Sequence, residues 1–283
     1  MTTFKRLSIT AVALAALLGS GCSKQINFLK ARNELNKGVG AFKAAEYNEA
    51  AARFQAALDL DPELNDARAY QAYSYMMQYI PGGESAENQA MAEKALAGFD
   101  EVLAKDPKNT FAVSAVASLY FNMKNFDEAE TWHRKRIGLL EEQATASETG
   151  EIDPVAAESY YTIGVIKWTE SYQPRLQVRA DLGMKPDDPG PIKDEEKRTE
   201  LAETAVPVID EGLTALTKAL EINPDYADAM AYLNLLNRER ADLAETDEEY
   251  EQYLAKADEW VERTLETTKR LNDESTIDQF AAE

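Results

Sequence analysis

The chain has 283 residues, of which 45% are hydrophobic and 29% are charged, a composition that excludes an intrinsically disordered protein and a protein with many membrane spans. Its 30 basic and 51 acidic residues leave a net charge of -21. Binding to nucleic acid, or to anionic lipid through a basic face, depends on an excess of Lys and Arg. We therefore expect no nucleic acid partner, and the length allows one large domain or two small ones.

The first residues of the chain have the pattern of a targeting segment that is removed before folding. Lys5 and Arg6 precede an apolar run at residues 7–18, which is too short to cross a bilayer. The small residues Gly19-Ser20-Gly21 follow and lead to Cys22, the one cysteine of the sequence.

This arrangement resembles a bacterial lipoprotein signal. The resemblance implies that residues 1–21 are the signal peptide and that Cys22 becomes the lipidated N-terminus of an exported protein. Ser23 follows the cysteine where Asp would signal retention in the inner membrane, so the resemblance implies an outer-membrane lipoprotein that faces the periplasm. The alternative is an ordinary secretory peptide that leaves an unmodified thiol. Residues 22–30 are predicted to be a tether.

Residues 38–62 predict two helices joined by a short turn and closed by a proline. Small and large side chains alternate there at spacings of three, four and seven residues, which is a helical period. The pattern resembles the tetratricopeptide repeat (TPR), whose unit of about 34 residues is a pair of antiparallel helices. The residues that carry the resemblance are Gly38, Tyr47, Ala50, Phe54, Ala57, Leu58, Leu60 and Pro62.

The same pattern returns along residues 31–271 in about five units, some of them stretched by insertions. Pro81-Gly82-Gly83 interrupts the second unit, and residues 171–199 interrupt the fourth with four prolines and two glycines, which predicts a functional or disordered loop. Residues 272–283 read as a polar tail. Because runs typical of strands are absent from the sequence, the predicted fold is an all-α, TPR-like α-solenoid.

Residues with catalytic or metal-binding chemistry are scarce. His133 could act as a base or ligand, or it could be an ordinary residue of a repeat helix. Asp187-Asp188 lacks the spacing of a calcium loop, and the phosphate-binding and nucleophile motifs are missing from the sequence. We therefore expect a protein that is not an enzyme and needs neither a metal nor a cofactor.

In the TPR family the first helix of each unit lines a groove, and the resemblance assigns groove positions to this chain. The assigned positions are unusually rich in aromatic residues and methionine, which fits recognition of a helix or an extended peptide. Alternatively, the same side chains are ordinary core. The groove residues predicted to bind a partner are Phe42, Tyr73, Met76, Phe111, Phe121, Asn122, Tyr161 and Trp168.

Three functions are compatible with this pattern. The first is an exported, lipid-anchored scaffold that binds proteins or peptide segments of the bacterial cell envelope. The alternative is a solute-binding component that holds a small ligand beside Trp168 and Tyr161, with residues 171–199 as a lid. The third is an envelope hydrolase that uses acidic residues of that insertion.

Overall fold

A computed structural model of the chain describes residues 25–185 and 188–281, with side chains up to residue 275. The predicted signal peptide and Cys22 lie outside the described residues. Within these ranges the protein consists of ten helices and no strand, which confirms the predicted all-α fold of TPR-like helix pairs. None of these helices is long and apolar enough to span a bilayer.

The helices group into two compact units, and the boundary falls between Asn125 and Phe126. Helices of the first unit are α1 (25–43), α2 (Tyr47–Leu60), α3 (Asn65–Met76), α4 (Ala86–Lys105) and α5 (Thr110–Asn122). Helices of the second are α6 (Phe126–Ala146), α7 (Ala156–Asp181), α8 (Glu195–Ile222), α9 (Ala227–Asp242) and α10 (Asp247–Ala281).

Short turns and side-chain caps define the helix ends. Ser85, Asn109 and Asp194 each accept a hydrogen bond from the backbone N–H three residues later, at 3.0–3.1 Å, and so begin α4, α5 and α8. Ala45 and Lys124 lie in equivalent turns, after α1 and after α5, and both adopt a positive φ, 59° and 57°. These turns reverse the chain direction between consecutive helices, as the repeat pattern requires.

The core of the first unit is built from the small and large residues that the repeat pattern identified. Ala50, Phe54 and Ala57 are completely buried on α2. A Cβ at Gly38 would lie 2.5 Å from the Phe54 ring, so glycine lets α1 and α2 approach closely. The pattern therefore predicted these packing positions correctly.

The second unit has a larger core of aliphatic residues, contributed mainly by α8 and α9. Leu216 packs against Gly164 of α7, and Leu236 of α9 packs against Gly212 of α8. Ile192, from the connection between α7 and α8, is also completely buried in this core. The connection is thus part of the packed structure of the unit.

Several segments are more helical than the sequence pattern indicated. Residues 25–30 of the predicted tether and 272–281 of the predicted tail are helical, since neither contains Gly or Pro. In the predicted insertion, α7 continues to Asp181 and α8 begins at Glu195. Pro174 interrupts neither its helix nor its packing, because it is exposed while residues on other faces of α7 are buried.

Candidate functional site

Five aromatic rings of the first unit form one continuous cluster, which we call the unit 1 aromatic surface. Phe42 stacks on Tyr73 at a centroid distance of 5.3 Å and meets Tyr47 edge-on at the same distance. Tyr73 in turn meets Phe111 edge-on at 5.3 Å, and Tyr70 lies 6.3 Å from both Phe42 and Phe111. The cluster therefore joins α1, α3 and α5, the first helices of three successive repeats, and includes Tyr47 at the start of α2.

One side of the unit 1 aromatic surface packs on the core of the unit, and the other side is exposed to solvent. Phe54 and Phe99 are completely buried, and their rings contact Tyr70 at 5.6 Å and Phe111 at 6.3 Å. The side of the cluster away from this core is accessible, since Tyr70 is 37% exposed and Phe111 43% exposed. The result is a preformed apolar patch with rings in fixed orientations.

Of the predicted groove residues, the structure brings Phe42, Tyr73 and Phe111 together on this surface. Met76, Phe121 and Asn122 belong to the same unit and are half-buried near the ends of α3 and α5. None of these six is fully buried, and their role in binding stays a prediction. The sequence analysis missed Tyr47 and Tyr70 in this role, although Tyr70 precedes Tyr73 by three residues and so shares its helix face.

The other two predicted residues, Tyr161 and Trp168, belong to α7 in the second unit. Both rings contact Tyr232 of α9 edge-on, at 5.7 and 5.4 Å, and Trp168 also lies 4.8 Å from Tyr172. Burial raises the pKa of the Tyr161 hydroxyl well above its ordinary value. These half-buried rings form the edge of the core of the second unit, and Trp168 also lines a cavity.

Beside Trp168 lies a buried ionic cluster that the sequence analysis did not predict. Arg175 Nε is 2.6 Å from Glu239 Oε2, and the Arg175 guanidinium also pairs with Asp242. Arg179, only 2% exposed, donates to both oxygens of Asp242 at 2.9 and 3.0 Å. The arginines come from α7 and the carboxylates from α9, so the cluster joins these two helices.

Arg179 also fixes the connection between α7 and α8. Its second terminal nitrogen donates to the backbone carbonyls of Lys185 and Asp188, at 2.7 and 2.6 Å. Gly190 donates its N–H to the Tyr250 hydroxyl at 3.1 Å, and a Cβ at Gly190 would overlap Asp242. A glycine is therefore required where this connection passes over the ionic cluster.

Burial changes the acidity of one carboxyl in this cluster. Desolvation raises the pKa of Glu239 to about 7, although Arg175 opposes the increase. Asp242 adds to it, because a neighbouring negative charge disfavours a second one. Glu239 therefore changes its charge near neutral pH, unlike an ordinary glutamate.

A cavity of about 310 Å³ lies over the ionic cluster. Its walls are the aromatic rings of α7, the ionic cluster, and the connection that follows α7. The alternative hypothesis predicted a closed pocket walled by Trp168, Tyr161 and the insertion. Trp168 and the connection after α7 do line this cavity. The prediction for Tyr161 is wrong, because its ring packs against Tyr226 and Tyr232 instead. The residues that line it include Trp168, Tyr172, Arg175, Glu239 and Gly190.

His133 has the surroundings of a structural residue. It is 2% exposed, and its Nδ1 lies 3.2 Å from the Ser159 hydroxyl. Burial, together with the nearby charge of Arg136, lowers its pKa to about 4. The ring is thus neutral near pH 7 and occupies the large helix position of its repeat. The described residues contain no group of three or more His, Cys, Asp or Glu side chains placed to hold a metal ion.

Comparisons with known proteins show the fold. No family model and no curated protein matches the sequence. Among solved structures, a crystal structure of MamA protein aligns over 84% of this chain and 94% of its own, with a TM-score of 0.52 and 14% identity. MamA from Desulfovibrio magneticus RS-1 aligns over 85% and 96%, with a TM-score of 0.52 and 14% identity.

A third solved structure, YrrB, is described as a TPR protein with an unusual peptide-binding site. It aligns over 83% of this chain and 90% of its own, with a TM-score of 0.48 and 15% identity. The helix pairs and their packing place this chain in the class of TPR-like α-solenoid proteins.

Proposed function

We propose that this protein is a non-enzymatic scaffold that binds polypeptide segments on the unit 1 aromatic surface. The observation that carries the proposal is the continuous set of five rings across α1, α2, α3 and α5, with Phe111 and Tyr70 open to solvent. An accessible apolar patch of this kind marks a binding site more often than a solvated face.

The geometry of the rings suits a helical or extended peptide. Aromatic side chains provide a large contact area and lose little conformational entropy when a partner binds, because their rotamers are already fixed by the core. Residues 25–125 hold 10 Lys and Arg against 13 Asp and Glu, whereas residues 126–283 hold 17 against 38. The first unit is thus nearly neutral, and apolar side chains of the partner would dominate recognition there.

The proposal places this scaffold at the bacterial cell envelope, at the outer membrane on the periplasmic side. Its support is the sequence of the N-terminus, with a positive start, a short apolar run, and Cys22 preceded by Gly19-Ser20-Gly21. Metabolic labelling with an alkyne fatty acid tests the anchor. We expect the label on the wild-type chain and not on a Cys22→Ser variant, and an unlabelled wild-type chain would contradict the anchor.

Photo-cross-linking in cells tests the binding surface. A benzophenone amino acid in place of Phe111 would lie on the unit 1 aromatic surface, and one in place of the exposed Gln89 on α4 would serve as the control. We expect Phe111 to cross-link a defined segment of an envelope protein, which mass spectrometry would identify. The same cross-linked products from both positions, or no cross-linked product from position 111, would contradict the proposal.

A second candidate function, small-ligand binding, is favoured by the 310 Å³ cavity of the second unit. Native mass spectrometry of the protein isolated from its host would show a co-purified small molecule if this function holds. The molecule should be lost in a Tyr172→Ala variant, which removes a cavity wall, and kept in Tyr253→Ala, which does not line the cavity. A spectrum without a bound molecule would favour the scaffold.

A further inference from the structure

The start of α1 exposes three large apolar side chains within four residues. Ile26 is 51% exposed, Phe28 46% and Leu29 68%, whereas Ala31 and Leu35 on the same helix are buried in the first core. The inner face of α1 thus already has its packing partners. Ile26 and Leu29, three residues apart, share an exposed side of α1, and Phe28 follows beside Leu29 and borders the cleft at the end of α2. We call these three side chains the N-terminal patch.

The N-terminal patch lies next to the predicted lipid attachment site. Three peptide units join Cys22 to Gln25, the first described residue of α1, and span at most about 11 Å when fully extended. A lipid on Cys22 would therefore hold the patch within a short distance of the bilayer surface, whatever conformation the intervening residues adopt.

The charges near the patch are opposite in sign to those of the chain as a whole. Residues 23–33 contain Lys24, Lys30 and Arg32 and no acidic residue, and the first carboxylate after Cys22 belongs to Glu34. The Arg32 guanidinium lies 5.5 Å from the centre of the Phe28 ring. Cations beside exposed apolar side chains are typical of helices that lie at a membrane interface.

We propose that the N-terminal patch inserts into the headgroup region of the membrane that holds the Cys22 lipid. Ile26, Phe28 and Leu29 would contact acyl chains, and Lys30 and Arg32 would contact lipid phosphates. The proposal rests on the lipid anchor of the proposed function and adds a second, protein-mediated contact. It also implies that the start of α1 lies at the bilayer surface.

Because Cys22 is the only cysteine of the sequence, its acylation would leave a new cysteine as the one free thiol. The full chain, purified from membranes as Leu29→Cys or Asn36→Cys, would be labelled with an environment-sensitive fluorophore. It would then be reconstituted in vesicles of phosphatidylethanolamine and phosphatidylglycerol. Both residues are exposed, and Asn36 lies two helical turns, about 10 Å, further along the same face of α1. Leu29 suits the probe because it does not line the nearby cleft between Phe28 and the end of α2.

We expect the probe at residue 29 to shift to the blue and to be quenched by lipids that carry a nitroxide on the acyl chain, and the probe at residue 36 to show neither effect. An acylated protein whose residue 29 probe remains in water would overturn the interfacial contact and leave the anchor intact. A blue shift without nitroxide quenching would also overturn it, because the patch would then contact protein, such as a second copy. An unmodified Cys22, detected by mass spectrometry, would overturn both the anchor and the contact.

Discussion

At the residue scale, Gly164 shows how closely the helices of the second unit pack. A Cβ at this position of α7 would overlap the Leu216 side chain of α8. We predict that Gly164→Ala lowers the free energy of unfolding by about 1–3 kcal/mol, because the added methyl group overpacks a closed core. Urea denaturation would measure this loss.

Gly138 on α6 is the matched control for that substitution. It is exposed, and apart from the adjacent backbone of α6 no atom lies within 4 Å of a Cβ built there. Gly138→Ala should raise the free energy of unfolding by about 0.5–1 kcal/mol, because alanine favours the helix. Equal effects of the two substitutions would show that Gly164 is not a close-packing position.

The buried carboxyl of Glu239 makes the stability of the second unit depend on pH. Its pKa of about 7 in the folded protein exceeds its ordinary value of 4.5, so folding favours the protonated form. The stability that this residue contributes is therefore fully present below about pH 4.5 and is lost as the pH rises through 7. In Glu239→Gln this titration is absent.

We expect the free energy of unfolding of the wild type, relative to Glu239→Gln, to fall by about 1–3 kcal/mol between pH 5 and pH 8. Urea denaturation of both proteins at several pH values would measure the difference, in which the titration of all other carboxylates cancels. A difference that stays constant with pH would show that Glu239 has an ordinary pKa.

The sequence predicted packing residues better than it predicted charged clusters. Gly38, Phe54 and Ala57 were predictable because small and large apolar residues alternate there at helical spacing, and this pattern is local in the sequence. Arg175 and Glu239 were not, because charged residues at spacings of three and four also cover solvated helix faces. Their burial depends on which helices meet, and this information is not local in the sequence.

At the scale of the helices, the turn between α1 and α2 can be tested directly. Ala45 adopts a φ of 59°, a conformation that costs alanine about 1 kcal/mol and glycine almost nothing. Ala45→Gly should therefore raise the melting temperature. Ala44→Gly, one residue earlier in the same turn and without a positive φ, should lower it, because glycine has more entropy to lose on folding. A decrease in both variants would contradict the turn geometry.

The sequence predicted the presence of helices more accurately than the positions of their ends. Proline and glycine are frequent at helix ends, so the sequence of residues 171–199 predicted a loop. In the structure α7 passes through Pro174, and α8 passes through Pro207, because both prolines are on exposed faces while other faces of the same helices pack in the core. Whether a proline breaks a helix depends on tertiary contacts that compensate for the lost hydrogen bond.

At the scale of the whole molecule, the two units differ in charge and in the kind of site they carry. The first unit is nearly neutral and presents an open aromatic surface, whereas the second is strongly acidic and contains a cavity over an ionic cluster. The boundary after Asn125 could not be predicted, since the turn there resembles the turn after α1 and has no linker composition. The sequence assigned Phe42, Tyr73 and Phe111 to the predicted groove without indicating that their rings touch.

The affinity of the first unit for its partner tests the central claim most directly. The segment cross-linked at position 111 would be synthesised, and its dissociation constant measured by calorimetry for the wild type, Tyr73→Ala and Tyr253→Ala. Tyr73 is the middle ring of the unit 1 aromatic surface, whereas Tyr253 packs against Arg240 on α9. We predict that Tyr73→Ala lowers the affinity for the segment by about tenfold or more and that Tyr253→Ala leaves it unchanged. Circular dichroism should show that both variants are folded. Wild-type affinity in the Tyr73→Ala variant would contradict the account.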